Sequence, residues 1–343
     1  MKFIVSITGR RQRSLLRISP EISHPVVNSP FTQVVRLSLA TLACVCVLAI
    51  SALGAAPASI RVAVLDFGET STGLKAAEAV RQALSTDKLA TENGITIIDR
   101  NLTLAAARGN GYQKSLNLTT QEARDLGAAI GCDFFVIGEA DTLKRSPSNS
   151  HDYFESYATI FIVSARTGQL ISWQRPSERR ETNEEAEQSL LKTLSEANRY
   201  RVAILRGAED EAALRAASVE SPPATIEVMS DEENPKSDTR EPRPYRRIRP
   251  PYPEAAAQAE VEAVVDVLVD IDARGEVGKI EIARWAGFGL DQSVLDTVKQ
   301  MHFFPAMRDG VTIPMRVLLR YNFQRKIPDK APIKTIKIPR PGD

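Results

Sequence analysis

The sequence predicts an α/β domain with a mixed sheet, followed by a smaller α+β domain, with an apolar membrane anchor ahead of both. Three observations predict this. Residues 59–205 alternate short apolar runs with helical periodicity. Residues 250–326 hold a strict period of two, then one amphipathic helix, then a second alternating strand. Residues 34–58 form an uncharged apolar stretch apart from Arg36. At 343 residues the chain is long enough for two domains, each with its own core.

In chain order, residues 1–33 form a basic segment with Lys2, Arg10, Arg11, Arg13 and Arg17 against Glu21. Val34 to Leu53 is long enough to cross a bilayer, which needs about 20 residues. The positive flank then places the N-terminus in the cytoplasm and everything after Ile60 outside, as a single-pass membrane protein. The alternative is a cleaved signal peptide, with Ala56-Pro57-Ala58 as the cleavage site and a released, secreted binding protein as the product.

Within 59–205, Ile60 to Phe67 reads as a buried strand, Leu74 to Ala90 as a helix and Ile95 to Ile98 as a second strand. Thr119 with Glu122 is a capping box, and Gly131 suits the far end of that helix. Asp133 to Gly138 is the third strand. Tyr153–Ala165 and Gln169–Gln174 flank a hairpin turn at Arg166-Thr167-Gly168, and a charged helix spans Asn183 to Leu205. Strand, helix, strand, helix, strand and hairpin argue for a mixed sheet.

Residues 206–249 are rich in acids, then in prolines and arginines. Their few large apolar side chains predict a disordered linker.

In 250–326, Val261 to Ile271 alternates apolar and polar positions, and Asp272 to Gly275 turns the chain. Ile280 and Ile282 continue the pattern on the return. Leu290, Val294, Leu295, Val298 and Met301 recur at helical spacing. Asp309-Gly310 is a further turn. The last strand sets Ile313, Met315, Val317, Leu319, Tyr321 and Phe323 on one face, with Arg316, Arg320 and Asn322 on the other. Residues 327–343 read as a tail.

Charges nearly cancel, with 44 basic and 43 acidic residues, so no large nucleic-acid footprint is indicated. The three cysteines make no disulfide framework, and Cys132 reads as a small core residue. None of His24, His151 and His302 stands at metal spacing from another ligand, and His302 reads as helix-end packing. Gly68 to Gly73 lacks the Gly-Lys-Ser/Thr ending of a phosphate loop. Asp66 and Asp99 read as turn caps or as partners of Arg100. The expectation is a non-enzyme without cofactor or metal.

Two resemblances follow from these motifs. The run "VAVLDF", "ITIIDR", "AAIGCDFFVIGEA" and "ARTGQLI" resembles the TolB amino-terminal and CsgG-type periplasmic domains, which implies an envelope scaffold. The terminal module resembles the TonB C-terminal domain. It has the Tyr252-Pro253 opening, the alternating strand with its Gly turn, Leu290-Asp291, Phe303-Phe304-Pro305-Ala306 and the closing strand. That resemblance implies a transducer linking the inner membrane to outer-membrane TonB-dependent receptors. Receptor peptides would pair with the closing strand, Arg316, Val317, Leu318, Leu319, Arg320, Tyr321, Asn322 and Phe323, beside Tyr252 and Pro253. It also implies an ExbB/ExbD-like motor. The family's anchors carry Ser followed four positions later by His. Here Ser38 precedes Leu42, and the stretch has no histidine for a proton-driven coupling. A non-energised periplasmic scaffold, with the first domain as the working part, is therefore the alternative.

Overall fold

The computed structural model describes residues 59–147, 151–220 and 239–324. The anchor and basic segment (1–58) and the tail (327–343) lie outside them. No helix among the described residues is long and apolar enough to cross a membrane. The described residues all belong to one compact unit.

β1 (Ile60–Val64) is followed by α1 (Ser71–Thr86), capped by the Thr70 hydroxyl, which accepts from the Gly73 amide at 2.9 Å. The expected single helix to Ala90 breaks at Asp87, whose carboxylate caps the short α2 (Lys88–Glu92). After β2 (Ile95–Ile97), Asp99 caps α3 (Arg100–Gly109), a helix the sequence pattern did not reveal. The Thr119–Glu122 capping box forms, and α4 (Thr120–Ile130) ends at Gly131 in the left-handed conformation. β3 (Phe134–Arg145) and β4 (Tyr153–Ser164) pair over their full length, and β5 (Leu170–Gln174) completes the hairpin at Arg166–Gly168. β6 (Ser177–Arg180) also pairs with β4. Strand order is β2-β1-β3-β4-β5, with β1 parallel to both β2 and β3, so the sheet is mixed as expected.

The period of two divides the sheet's side chains between two cores. Val62, Val64, Phe134, Val136, Ile160 and Ile162 join α1, α5 (Asn183–Leu194) and α6 (Asn198–Glu220) on one side. Ala63, Leu65, Phe135, Ile137, Phe161 and Val163 join α4 on the other, in a core that continues into the terminal domain. Both faces are buried, which explains the unbroken apolar runs.

The expected helix 183–205 is two helices, separated at Ser195–Ala197. The second runs on to Glu220 through part of the expected linker. Glu211 lies in its buried side, accepting from Ser164 Oγ and from Arg166 Nε at 2.9 Å. Acids that looked like solvating charges include one with specific partners. β7 (Thr239–Arg240) and β8 (Arg243–Pro244), also within the expected linker, pair with the terminal domain.

That domain comprises α7 (Glu254–Gln258), β9 (Ala263–Ile271), β10 (Val277–Arg284), α8 (Leu290–Val298), β11 (Phe303–Phe304), β12 (Ala306–Arg308), β13 (Val311–Ile313) and β14 (Met315–Phe323). An antiparallel sheet in the order β10-β9-β14 carries α8 against Val265, Val267, Val269 and Ile271.

The terminal domain docks on the first. Trp285, Ala286 and Phe288, from the β10–α8 loop, complete the core below Phe161. The Trp285 ring lies 5.6 Å from Phe161, and its indole N–H donates to the Gly168 carbonyl at 3.0 Å. Phe288 meets Trp173 at 5.1 Å. Asn117 closes the contact: its amide donates to the Val264 and Trp285 carbonyls and accepts from the Val264 amide at 3.0 Å. A terminal domain at the free end of a long linker is thus replaced by a packed pair. The physical reason lies outside the linker: buried aromatic surface on the β10–α8 loop holds the domains together.

Cys132 is half-buried, and burial pushes its thiol up to about 12. His302 is exposed, with Nδ1 at 3.1 Å from Glu276, rather than packed at the helix end.

Candidate strand-docking edge

β9 and β14 run antiparallel in unbroken register, from Met315↔Ile271 to Phe323↔Ala263. β14 is an end strand of its sheet, so its second edge has no strand partner among the described residues. An antiparallel edge strand turns alternate amides and carbonyls outward, where another extended chain can pair with them.

The ten residues expected at this edge divide by face. Val317, Leu319, Tyr321 and Phe323 pack into the core under α8. The Tyr321 hydroxyl lies 3.5 Å from Met301 Sδ, and burial raises its pKa. Arg316, Leu318, Arg320 and Asn322 lie on the opposite face, where Leu318 is 52% exposed. Tyr252 sits beside the end of the strand, its ring 6.1 Å from Phe323, and its hydroxyl donates to the Val261 carbonyl at 2.5 Å. Pro253 precedes α7 in an extended conformation that delivers the chain into that helix.

The two arginines are not free charges. Arg316 forks onto Asp270 at 2.5 and 2.8 Å, and Arg320 onto Asp266 at 2.7 and 2.9 Å. In both cases the partners stand directly opposite in the β9–β14 register. The sequence contained the signal: Asp266 and Asp270 are four apart, as are Arg316 and Arg320, so one antiparallel register aligns both pairs. Burial pushes the Asp266 carboxyl up, but hydrogen bonds and charge from Arg320, then Arg284, outweigh it and hold the pKa below the ordinary value. The Asp270 carboxylate likewise raises the Arg316 guanidinium. These pairs brace β14 onto β9 and leave Leu318 and Asn322 as the freest side chains on that face.

A pH dependence follows. Because the folded pKa of Asp266 is depressed, its stabilising contribution is complete above the unfolded value near 3.9 and is lost as pH falls through the folded value. Asp266→Asn is expected to flatten the fall in stability below about pH 5, read by urea melts across pH. An unchanged acid slope would show that the pair carries no linkage.

Sequence reasoning did not identify Asn117, Trp285 or Phe288 as contact residues. Only the break in alternation at Trp285-Ala286-Gly287-Phe288 marked the loop. Asp291 folds it back, accepting from the Ala286 and Gly287 amides at 2.8 Å each. Among the described residues no group of three or more His, Cys, Asp or Glu side chains is placed to hold a metal ion.

Residues 248–324 match the family described as Gram-negative bacterial TonB protein C-terminal. Protein TonB of Vibrio cholerae is 32% identical over 79 residues, covering 23% of this chain. The chain spans about a third (32%) of that relative's length. Among solved structures, the TonB C-terminal domain of Pseudomonas aeruginosa aligns at 19% identity, covering 30% of this chain and 97% of that one, with a TM-score of 0.23. The hypothetical protein CT253 of Chlamydia trachomatis aligns at 10% identity, covering 43% and 98%, with a TM-score of 0.31. The family match coincides with the sheet-and-helix unit that ends in β14, so residues 248–324 are similar to the TonB C-terminal domain.

Proposed function

We propose that the protein is a TonB-like link between the inner membrane and outer-membrane TonB-dependent receptors, serving energised transport across the envelope. The observation that carries this reading is a TonB C-terminal domain whose closing strand, β14, has an edge open to main-chain pairing among the described residues. It acts by binding, not catalysis. The receptor's periplasmic peptide adds as a strand beside Val317–Asn322, while Leu318 and Asn322 select its side chains. The 34–58 anchor and an ExbB/ExbD-like motor complete the proposal at the other end. The first domain, in the role its TolB/CsgG resemblance implies, holds the docking edge in a fixed orientation.

Cross-linking in intact cells followed by affinity recovery of the full chain tests both ends together. The reading expects outer-membrane receptors and a motor complex in one sample. Receptors without motor proteins would favour the non-energised scaffold. Recovery of neither would contradict the transducer reading.

A further inference from the structure

The segment 240–249 carries Arg240, Arg243, Arg246, Arg247 and Arg249 against a single acid, Glu241. The whole chain has a net charge of only +1, so this is a local excess. All five arginines are exposed, and none forms an ion pair or hydrogen bond through its side chain with the described residues. Among the described residues outside this segment, eleven arginines meet a carboxylate, Arg316 and Arg320 among them.

The first part of this basic run, Arg240 to Tyr245, is held in place. Arg240 pairs in register with Met307, Arg243 with Phe304, and Pro244 with Phe303, and the Tyr245 amide donates to the His302 carbonyl at 2.9 Å. The register puts Arg243 and Phe304 on one face of the β8–β11 ribbon. Tyr245 joins them, its ring 4.2 Å from that of Phe304. Both aromatics are largely exposed, at 58% and 60%. The next residue back, Phe303, is buried at 1% exposure, so alternation along β11 sends one aromatic inward to the core and one outward to solvent.

We propose that the β8–β11 ribbon is a docking surface for an anionic phospholipid membrane. Unpaired guanidinium groups around an exposed Tyr–Phe pair match the chemistry of a lipid interface, where cations meet phosphate headgroups and aromatic rings settle at headgroup depth. A soluble acidic peptide would account for the arginines but not for two apolar rings left in water. Because the strand pairing already fixes the backbone from Arg240 to Tyr245, less ordering entropy opposes binding there. The site is distinct from the β14 edge and is separable from it by mutation.

The test uses residues 57–343, whose described residues form one compact unit that carries both hydrophobic cores. It is co-sedimented with vesicles of phosphatidylcholine alone and of phosphatidylcholine with phosphatidylglycerol. We expect binding to the anionic vesicles only, weakening as salt rises. R246Q/R247Q is expected to weaken it by about tenfold or more, at roughly 1 kcal/mol per basic residue near the surface. Y245A/F304A is expected to weaken it at constant charge, and unchanged far-ultraviolet circular dichroism checks that both variants are folded. Equal binding to both vesicle types, or full binding by both variants, would overturn the proposal. So would tight binding of soluble polyglutamate without vesicle binding, which would assign the arginines to an acidic protein partner.

Discussion

Trp285→Ala is expected to lower the stability of residues 57–343 by about 3–5 kcal/mol, the cost of truncating a fully buried aromatic. Trp285 is 1% exposed, packs on Phe161 and donates to Gly168. The substitution opens a cavity between the domains and leaves the Gly168 carbonyl without that donor. In urea, followed by circular dichroism, the parent should unfold in one transition. The variant should show a lower midpoint, and two transitions if the domains unfold separately once the contact is lost. A change below about 1 kcal/mol would mean that Trp285 faces solvent in solution and that the domains are independent. Peptide affinity at β14 should stay within about twofold, because the two sites share no residue.

Gly275→Ala should be nearly as damaging, for a different reason. Gly275 sits at φ +89° in the turn from β9 to β10. A Cβ there would lie 1.8 Å from the Phe303 carbonyl oxygen, which is backbone and has nowhere to swing. The Gly275 carbonyl also accepts from the Phe303 amide at 2.9 Å. Left-handed strain of about 1–3 kcal/mol adds to an overpacking cost of about 1–3 kcal/mol. The loss should fall on the terminal domain and should disturb β11, which the ribbon arginines depend on. Thermal melts, with amide exchange at Phe303 and Phe304, would show this. Near-parent stability would mean that the turn relaxes freely.

What was legible in the sequence was local. The capping box at Thr119 and Glu122, the hairpin at Arg166–Gly168 and the alternation in Val261–Ile271 depend on residues a few positions apart, and the structure contains each. The order of the terminal domain was equally plain, because each strand has one buried face and periodicity reports that directly. What escaped was set at a distance. β7 and β8 are only two residues each, Thr-Arg and Arg-Pro, too short to leave a periodicity, and they form by pairing with β12 and β11. α3 carries exposed Leu102 and buried Thr103, which blurs its apolar stripe. The domain contact depends on Trp285 and Asn117, 168 positions apart, and no window along the chain joins them. At the candidate edge, the strand was read but the roles of its arginines were missed, although the matching four-residue spacings of Asp266–Asp270 and Arg316–Arg320 held a signal. Their aspartates lie on another strand, and only the register turns apparent edge charges into braces.

The central claim is that β14 accepts a foreign strand through its outer edge. The most direct measurement is residue-resolved amide exchange along Met315–Phe323 in residues 57–343, with and without a peptide from the periplasmic segment of an outer-membrane TonB-dependent receptor. Strand addition predicts new protection at every second amide of β14, those pointing away from β9, with the alternate amides unchanged. Protection that skips β14, or that appears without this alternation, would contradict the account.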